Sequence, residues 1–173
     1  AQGHKRLILT PGNYGQDFLT RHGLDGLGVP VVKCANFIGD ALDQAAAEGF
    51  ESVLLVGHVG KLVKLAGGIM NTHSRYADCR TELFCAYAAV CGGGQALCKA
   101  LLDSATTDAC IALLDQAGLR APVMARLLAA IDGHVRRRAA GAYPVGVLLF
   151  SNVYGVLGQT KGYEEVLHEW KEG

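Results

Sequence analysis

Three times in the first sixty residues a short apolar run ends in a loop carrying glycine, asparagine or histidine and gives way to a stretch with helical spacing. Arg6 to Thr10 leads into Pro11-Gly12-Asn13-Tyr14-Gly15 and a helix from about Gln16 to His22, closed by Gly23. Val29 to Cys34 leads into Ala35-Asn36 and a helix from Ile38 to about Glu48, closed by Gly49. Ser52 to Gly57 is a strand apolar on both faces, and a helix near Val59 to Leu65 follows it directly. From Thr81 to about Ala140 the apolar positions recur every three or four residues, which predicts helices at Thr81–Val90, Gln95–Asp103, Thr107–Gln116 and Pro122–Arg138. Pro144 to Phe150 restores a strand pattern, the loop Ser151 to Gly155 follows, and Tyr163 to Glu172 has helical composition.

Repeated strand–helix units whose helices end at glycine predict a parallel sheet with crossover helices. The fold expected is therefore α/β and Rossmann-like: a mostly parallel sheet with helices on both faces and a helical segment before the last strand. No repeat, low-complexity run or long linker interrupts it, so a single domain over 1–173 is expected. In such a sheet ligands bind beyond the carboxyl ends of the strands, where helix N-termini point free amides outward. The loops at Asn13, Asn36, His58 and Asn152 should share that rim.

Composition narrows the function classes. Half of the residues are hydrophobic, and 16 basic residues balance 16 acidic ones, so nothing global points to nucleic acid or to an anionic membrane. No apolar stretch approaches the roughly 20 residues of a membrane helix, and no signal pattern opens the chain, which favours a cytoplasmic setting. The six cysteines form no CxxC pair and no zinc-type pattern with histidine, so they read as reduced thiols and no protein-held metal is expected. The opening Ala1-Gln2-Gly3-His4 enters a strand without an initiator methionine, as in a piece of a longer polypeptide.

Charge is instead concentrated locally. Between His58 and Arg80, Lys61, Lys64, Arg75 and Arg80 oppose only Asp78. Gly67-Gly68 is followed by Asn71, His73, Arg75, Asp78 and Arg80, polar side chains without strand or helix periodicity, as in a binding loop folded onto its neighbours. Each feature also has a plainer reading. Gly12 to Gly15 is a turn that suits an anion or simply needs glycine; it is neither GxGxxG nor a P-loop. Asp40 is a first-turn acid favoured by the helix dipole as much as a ligand contact. Lys61 and Lys64, three apart, fall on one face of a helix and fit a solvated surface as well as a clamp. Arg136-Arg137-Arg138 ends a helix, where cations complement the dipole. Cys85, Cys91, Cys98 and Cys110 read as core packing.

Three strings, ILTPGNYG (Ile8 to Gly15), VVKCANFIGDALD (Val31 to Asp43) and VLLVGHVGKLVKLAGGIMNTHSRYADCR (Val53 to Arg80), closely resemble the CbiD family, the cobalt-precorrin-5B C-1-methyltransferases of anaerobic cobalamin biosynthesis. The likeness continues more loosely through Thr106-Thr107-Asp108 and Val145 to Phe150 with Gly155. It implies methyl transfer from S-adenosylmethionine to C-1 of cobalt-precorrin-5B, giving cobalt-precorrin-6A. It also implies a missing N-terminal half of comparable size as partner. The substrate is ringed with carboxylates and brings its own cobalt. Lys61, Lys64, Arg75 and Arg80, with His58, Asn71 and His73 as further donors, are then the expected substrate contacts. Gly12, Asn13 and Gly15, with Asn36 and Asp40 beside them, are the expected cofactor contacts. No catalytic residue is assigned, because the electron-rich macrocycle is its own nucleophile and positioning dominates. Two rivals stay open: a corrinoid-binding domain inactive without the other half, and a nucleotide- or phosphate-binding regulatory domain. Homo-oligomerisation is left open as well.

Overall fold

The computed structural model describes residues 3–172; Ala1, Gln2 and Gly173 lie outside the described residues. Five strands form one sheet in the order β2-β1-β3-β4-β5. They are β1 (Arg6–Thr10), β2 (Val31–Lys33), β3 (Ser52–His58), β4 (Val145–Ser151) and β5 (Gly155–Gln159). The first four are mutually parallel, and β5 runs antiparallel beside β4. The helices are α1 (Asn13–Arg21), α2 (Ile38–Ala47), α3 (Val59–Leu62), α4 (Arg80–Val90), α5 (Gln95–Leu102), α6 (Thr107–Gln116), α7 (Arg120–Ala139) and α8 (Lys161–Glu172).

Alternation along the strands divides the core. Leu7 and Leu9 of β1, Val53 and Leu55 of β3, and Val145, Val147 and Leu149 of β4 turn to one face, under α2 and α3–α7. Ile8, Leu54, Val56, Leu148 and Phe150 turn to the other, under α1 and α8. This period-two assignment of successive side chains to opposite faces explains why β3 and β4 read as unbroken apolar runs. Trp170 of α8 closes the second face and donates its indole N–H to the buried Ser52 hydroxyl at 2.7 Å. Trp170→Phe leaves that hydroxyl without its donor and removes ring volume. A loss of about 2 kcal/mol in unfolding free energy is expected from urea denaturation.

Two expectations are corrected. Pro144–Phe150 is not the last strand, because the chain reverses after Ser151 and adds β5. The Ser151 hydroxyl accepts the backbone N–H of Val153 at 3.0 Å and of Tyr154 at 3.2 Å, fixing a hairpin turn where a loop before a helix was expected. The helix after β3 is also shorter than its pattern: α3 stops at Leu62 and a 3-10 turn, Val63–Gly67, follows. Tighter winding there changes which way Lys64 points.

Candidate functional site

β1 leads to β2 on one side, and the chain then returns across β1 to β3, so the strand order reverses between β1 and β3. Such a reversal opens a crevice at the carboxyl ends of the two strands, because their loops leave in opposite directions. Pro11-Gly12 leaves β1 there and His58-Val59 leaves β3. Gly12, at φ 84°, forms the N-cap of α1 without any side-chain cap, so the first amides of that helix stay available. A Cβ on Gly12 would lie 3.8 Å from the Lys61 ammonium.

Lys61 is the node of this crevice. Its Nζ donates to Asn36 Oδ1 at 2.8 Å and lies 3.4 Å from the Ala35 carbonyl, which ties the end of β3 to the loop after β2. The Thr72 hydroxyl donates to the same Asn36 oxygen at 3.3 Å, and the Thr72 amide donates to the Asn36 carbonyl at 2.9 Å. Phe37 and Asn71 form an isolated antiparallel bridge beside them. The segment 71–80 is thereby sewn onto the rim. Burial holds the Lys61 ammonium below its usual pKa, helped by the charge of Lys64. The Cys34 thiol is pushed up to about 11 by its own burial, so it stays protonated next to that cation.

Asn13 sits on the same rim, its Oδ1 accepting from Lys33 Nζ at 3.3 Å. Gly15 does not face the crevice. A Cβ there would fall 1.5 Å from the Thr10 hydroxyl and 3.3 Å from the Val56 carbonyl, so glycine at this position lets α1 lie on the sheet. Asp40 is exposed in the first turn of α2, its charge felt by Arg138, and no hydrogen bond or ion pair joins it to Lys61 among the described residues. Lys64 is 3% exposed and points inward: its ammonium donates to the carbonyls of Thr72 (3.1 Å) and Ala77 (2.9 Å), with Asp78 at 3.6 Å. Spacing suggests two clamps, but the 3-10 turn makes Lys64 the internal pin of the loop that Lys61 borders.

Further along, Asn71 Oδ1 accepts the His73 amide at 3.2 Å, and His73 Nδ1 accepts the Arg75 amide at 3.1 Å, a pair of local turns that leaves the Arg75 side chain exposed. Arg80 grips Asp78 through two nitrogens, with Nη2 at 2.9 Å from Oδ2. That contact holds the Asp78 carboxyl below the usual range and the Arg80 guanidinium above it. Arg80 also lines a small polar pocket of about 120 Å³ with Thr106 and Thr107. The structure therefore gathers Gly12, Asn13, Asn36, Lys61 and the 71–75 turns on one rim. Arg80 is engaged by Asp78, Gly15 and Lys64 pack internally, and Asp40 stands apart. Sequence reasoning missed Lys33 and Thr72: both lie inside the strings that carry the family resemblance, but only their bonds to Asn13 and Asn36 in the folded chain give them a role.

His58 caps α3, its Nδ1 accepting the Gly60 amide at 3.1 Å, and its ring meets Phe150 edge-on at 5.7 Å. The neutral ring then carries its proton on Nε2. Burial lowers the His58 pKa below 6.5, with Asp108 opposing; the Asp108 carboxylate itself accepts the Ser151 hydroxyl at 2.7 Å. The unfolded chain therefore binds the proton more readily than the folded one. The stability this residue preserves is complete above its unfolded pKa and is lost as pH falls from 6.5 through the lower folded value. His58→Asn, which keeps a capping acceptor, should flatten that decline when urea denaturation is compared at about pH 7.5 and about pH 5.5.

Among the described residues no group of three His, Cys, Asp or Glu side chains is placed to hold a metal ion, and no helix is long and apolar enough to cross a membrane.

Comparison with known proteins follows the same outline. A family profile described as "CbiD, C-terminal domain" matches residues 71–161. The chain is 42% identical over 154 residues to the cobalt-precorrin-5B C(1)-methyltransferase of Ruminiclostridium cellulolyticum, covering 88% of this chain and 39% of that protein. To the like-named proteins of Methanocaldococcus jannaschii and Listeria welshimeri it is 41% identical over 119 residues and 34% over 172, covering 69% and 98% of this chain and 33% and 46% of those proteins. The chain thus spans less than half the length of the curated relatives it matches. No solved structure matches it. A profile match over more than half of the chain, with relatives of one name aligned along nearly all of it, places this protein in the CbiD family.

Proposed function

We propose that this chain carries the ligand rim of an enzyme that methylates C-1 of cobalt-precorrin-5B with S-adenosylmethionine, giving cobalt-precorrin-6A in cobalamin biosynthesis, and that the rest of the polypeptide completes the active site. The observation that carries this reading is the Lys61 node: the ammonium of a residue just after β3 bonds the loop after β2 and lies beside the Gly12 turn after β1, at a strand-order reversal. In this reading the sheet is used in the Rossmann manner, with ligand held at the switch point. The residues fit an anionic group: the uncapped amides of α1 and the Lys61 ammonium converge on one place. The carboxylate of S-adenosylmethionine is such a group, and the cofactor supplies the methyl that the macrocycle carbon takes. Gly12, Asn13, Asn36 and Lys61 hold the cofactor end. His73, Arg75 and the exposed part of Arg80 meet the acid-rimmed macrocycle, with His58 and Asn71 setting the turns between.

The test is titration calorimetry of the full-length polypeptide with S-adenosylhomocysteine, a mononucleotide and a cobalt corrinoid. Tight binding of the first and third, with Asn13→Ala and Asn36→Ala each weakening S-adenosylhomocysteine about tenfold, supports the assignment. Mononucleotide binding alone would establish the regulatory rival. Unchanged cofactor affinity in both variants would move the cofactor to the part of the polypeptide outside this chain.

A further inference from the structure

Thr106-Thr107-Asp108, part of the family resemblance, has no task at the Lys61 node. These residues open α6 beside the polar pocket of about 120 Å³ that also takes in Asp78, Arg80, Thr81 and Ser104. The space is far too small for a macrocycle and large enough for one oxyanion. Two helices start at its wall, α4 at Arg80 and α6 at Thr107. α4 is entered through Cys79 without a side-chain cap, and α6 is capped by the Thr106 hydroxyl, which accepts the Ala109 amide at 3.1 Å. That cap leaves the Thr107 and Asp108 amides without a partner among the described residues. Open amides at helix starts favour an anion.

The Thr107 side chain says the same independently. Thr107 is 5% exposed and lines the pocket, yet its hydroxyl makes no hydrogen bond among the described residues. A hydroxyl taken out of bulk water ordinarily gains a partner on folding, and this one faces a space where a ligand can supply it. Its neighbours are already engaged: the Ser104 hydroxyl donates to the Ala100 carbonyl at 2.9 Å, and the first-turn acids Glu82 and Asp108 accept the hydroxyls of Thr81 and Ser151. Arg80 commits Nε and Nη2 to Asp78, which fixes the guanidinium and leaves Nη1 unbonded among the described residues. Asp78 brings a negative charge to the wall, but Arg80 and the Lys64 ammonium, 3.6 Å from it, outnumber it. The pocket also adjoins the rim, since a Cβ on Gly60, just after β3, would lie 3.6 Å from the Thr107 hydroxyl.

The geometry points to an oxyanion subsite between the starts of α4 and α6, which takes one carboxylate arm of the macrocycle. The Thr107 hydroxyl, Arg80 Nη1 and the open amides donate, and the carboxylate accepts on both oxygens. An amidated arm would turn two N–H groups toward a wall of donors, so the subsite selects the free acid. Thr107 is thereby a specificity-determining residue. The inference rests on the proposed function for the identity of the ligand, while the pocket and its unpartnered hydroxyl stand without it.

Calorimetric titration of the full-length polypeptide tests it with three probes: a cobalt corrinoid whose side chains end in free carboxylates, the same corrinoid fully amidated, and inorganic phosphate. Thr107→Val, which keeps the shape and removes the hydroxyl, should weaken the free-acid corrinoid about tenfold and leave the amidated one unchanged; Thr107→Ser should bind as the native protein does. Melting curves separate this from a structural role. Thr107→Val should melt no lower than the native protein, because no bond is lost, whereas Thr106→Val strips the α6 cap and should melt lower. Native affinity of Thr107→Val for the free-acid corrinoid overturns the inference and leaves the proposed function standing. Thr107-dependent binding of phosphate without any binding of the corrinoid assigns the pocket to a free anion and overturns the arm. A native protein that binds neither corrinoid nor phosphate removes the subsite and the proposed substrate together.

Discussion

Gly146→Ala is expected to be the most damaging single-methyl change in the molecule, lowering the unfolding free energy by about 3 kcal/mol and the melting temperature by roughly 8 °C. Gly146 lies in β4, between Val145 and Val147, where α8 crosses the sheet. A Cβ there would sit 2.3 Å from Tyr163 Cα, 2.5 Å from Tyr163 N and 2.8 Å from the Gly162 carbonyl carbon. All three are backbone atoms, so no rotamer change relieves the overlap. Gly162 mirrors the constraint, since its own Cβ would fall 2.5 Å from the Val145 carbonyl oxygen. α8 cannot simply retreat. Thr160, just before it, donates its amide to the Val147 carbonyl at 2.9 Å and accepts the Val147 amide on its hydroxyl at 3.0 Å. Trp170 at the far end is tied to Ser52.

The internal control for that prediction is Gly133→Ala in the middle of α7, where a Cβ meets nothing within 4 Å and φ is not positive. There the gain in helix propensity should stabilise the protein by about 0.5–1 kcal/mol. Thermal and urea unfolding of the same protein check both values. Destabilisation at both positions would mean that the methyl group is not what matters, and that α8 does not lie against Gly146 as described.

The strands of the parallel core are legible because each is a short apolar run whose next residues are loop formers; β1 begins and ends where its pattern does, at Arg6 and Thr10. β5 is not legible, for a physical reason. Gly-Val-Leu-Gly-Gln has two glycines, little burial and a register shift opposite Leu149 and Phe150, so neither strand propensity nor alternation marks it. β2 shows the opposite error. Its apolar run, Val29 to Cys34, outlasts the three residues that pair: Pro30 has no amide to donate before Val31, and β1 stops at Thr10, opposite Lys33.

The rim was legible in outline, since parallel strands must deliver their loops to one side. Its wiring was not. The bond from Lys61 to Asn36 spans 25 residues and exists only because β1, which pairs with both, places β2 and β3 on either side of it. Lys64 was misdirected by helix spacing across a segment that winds as 3-10. Gly15 shows that a glycine in a loop of ligand-binding appearance can be demanded by the sheet beneath it, through Thr10, and not by a ligand above.

Lys61→Met and Lys64→Met, three residues apart, should fail in opposite ways. Lys61 is partly open, and its ammonium bonds reach Asn36 Oδ1 and the Ala35 carbonyl at the crevice surface, where water can replace them. Losing them should cost less than about 1 kcal/mol of stability. Losing a charge aimed beside the α1 amides should instead weaken an anionic ligand about thirtyfold, the value of one charge-assisted hydrogen bond. Lys64 is enclosed, and Met at that position strips the Thr72 and Ala77 carbonyls of their donor and Asp78 of a partner. About 2 kcal/mol of stability should go, and ligand affinity should change only as far as the 71–80 loop loosens. Melting curves with and without S-adenosylhomocysteine, together with calorimetric titration of both full-length variants, separate the two effects. If Lys61→Met melts early and still binds with native affinity, Lys61 is a strut between the β2 and β3 loops, and the ligand charge is met by another residue on the rim.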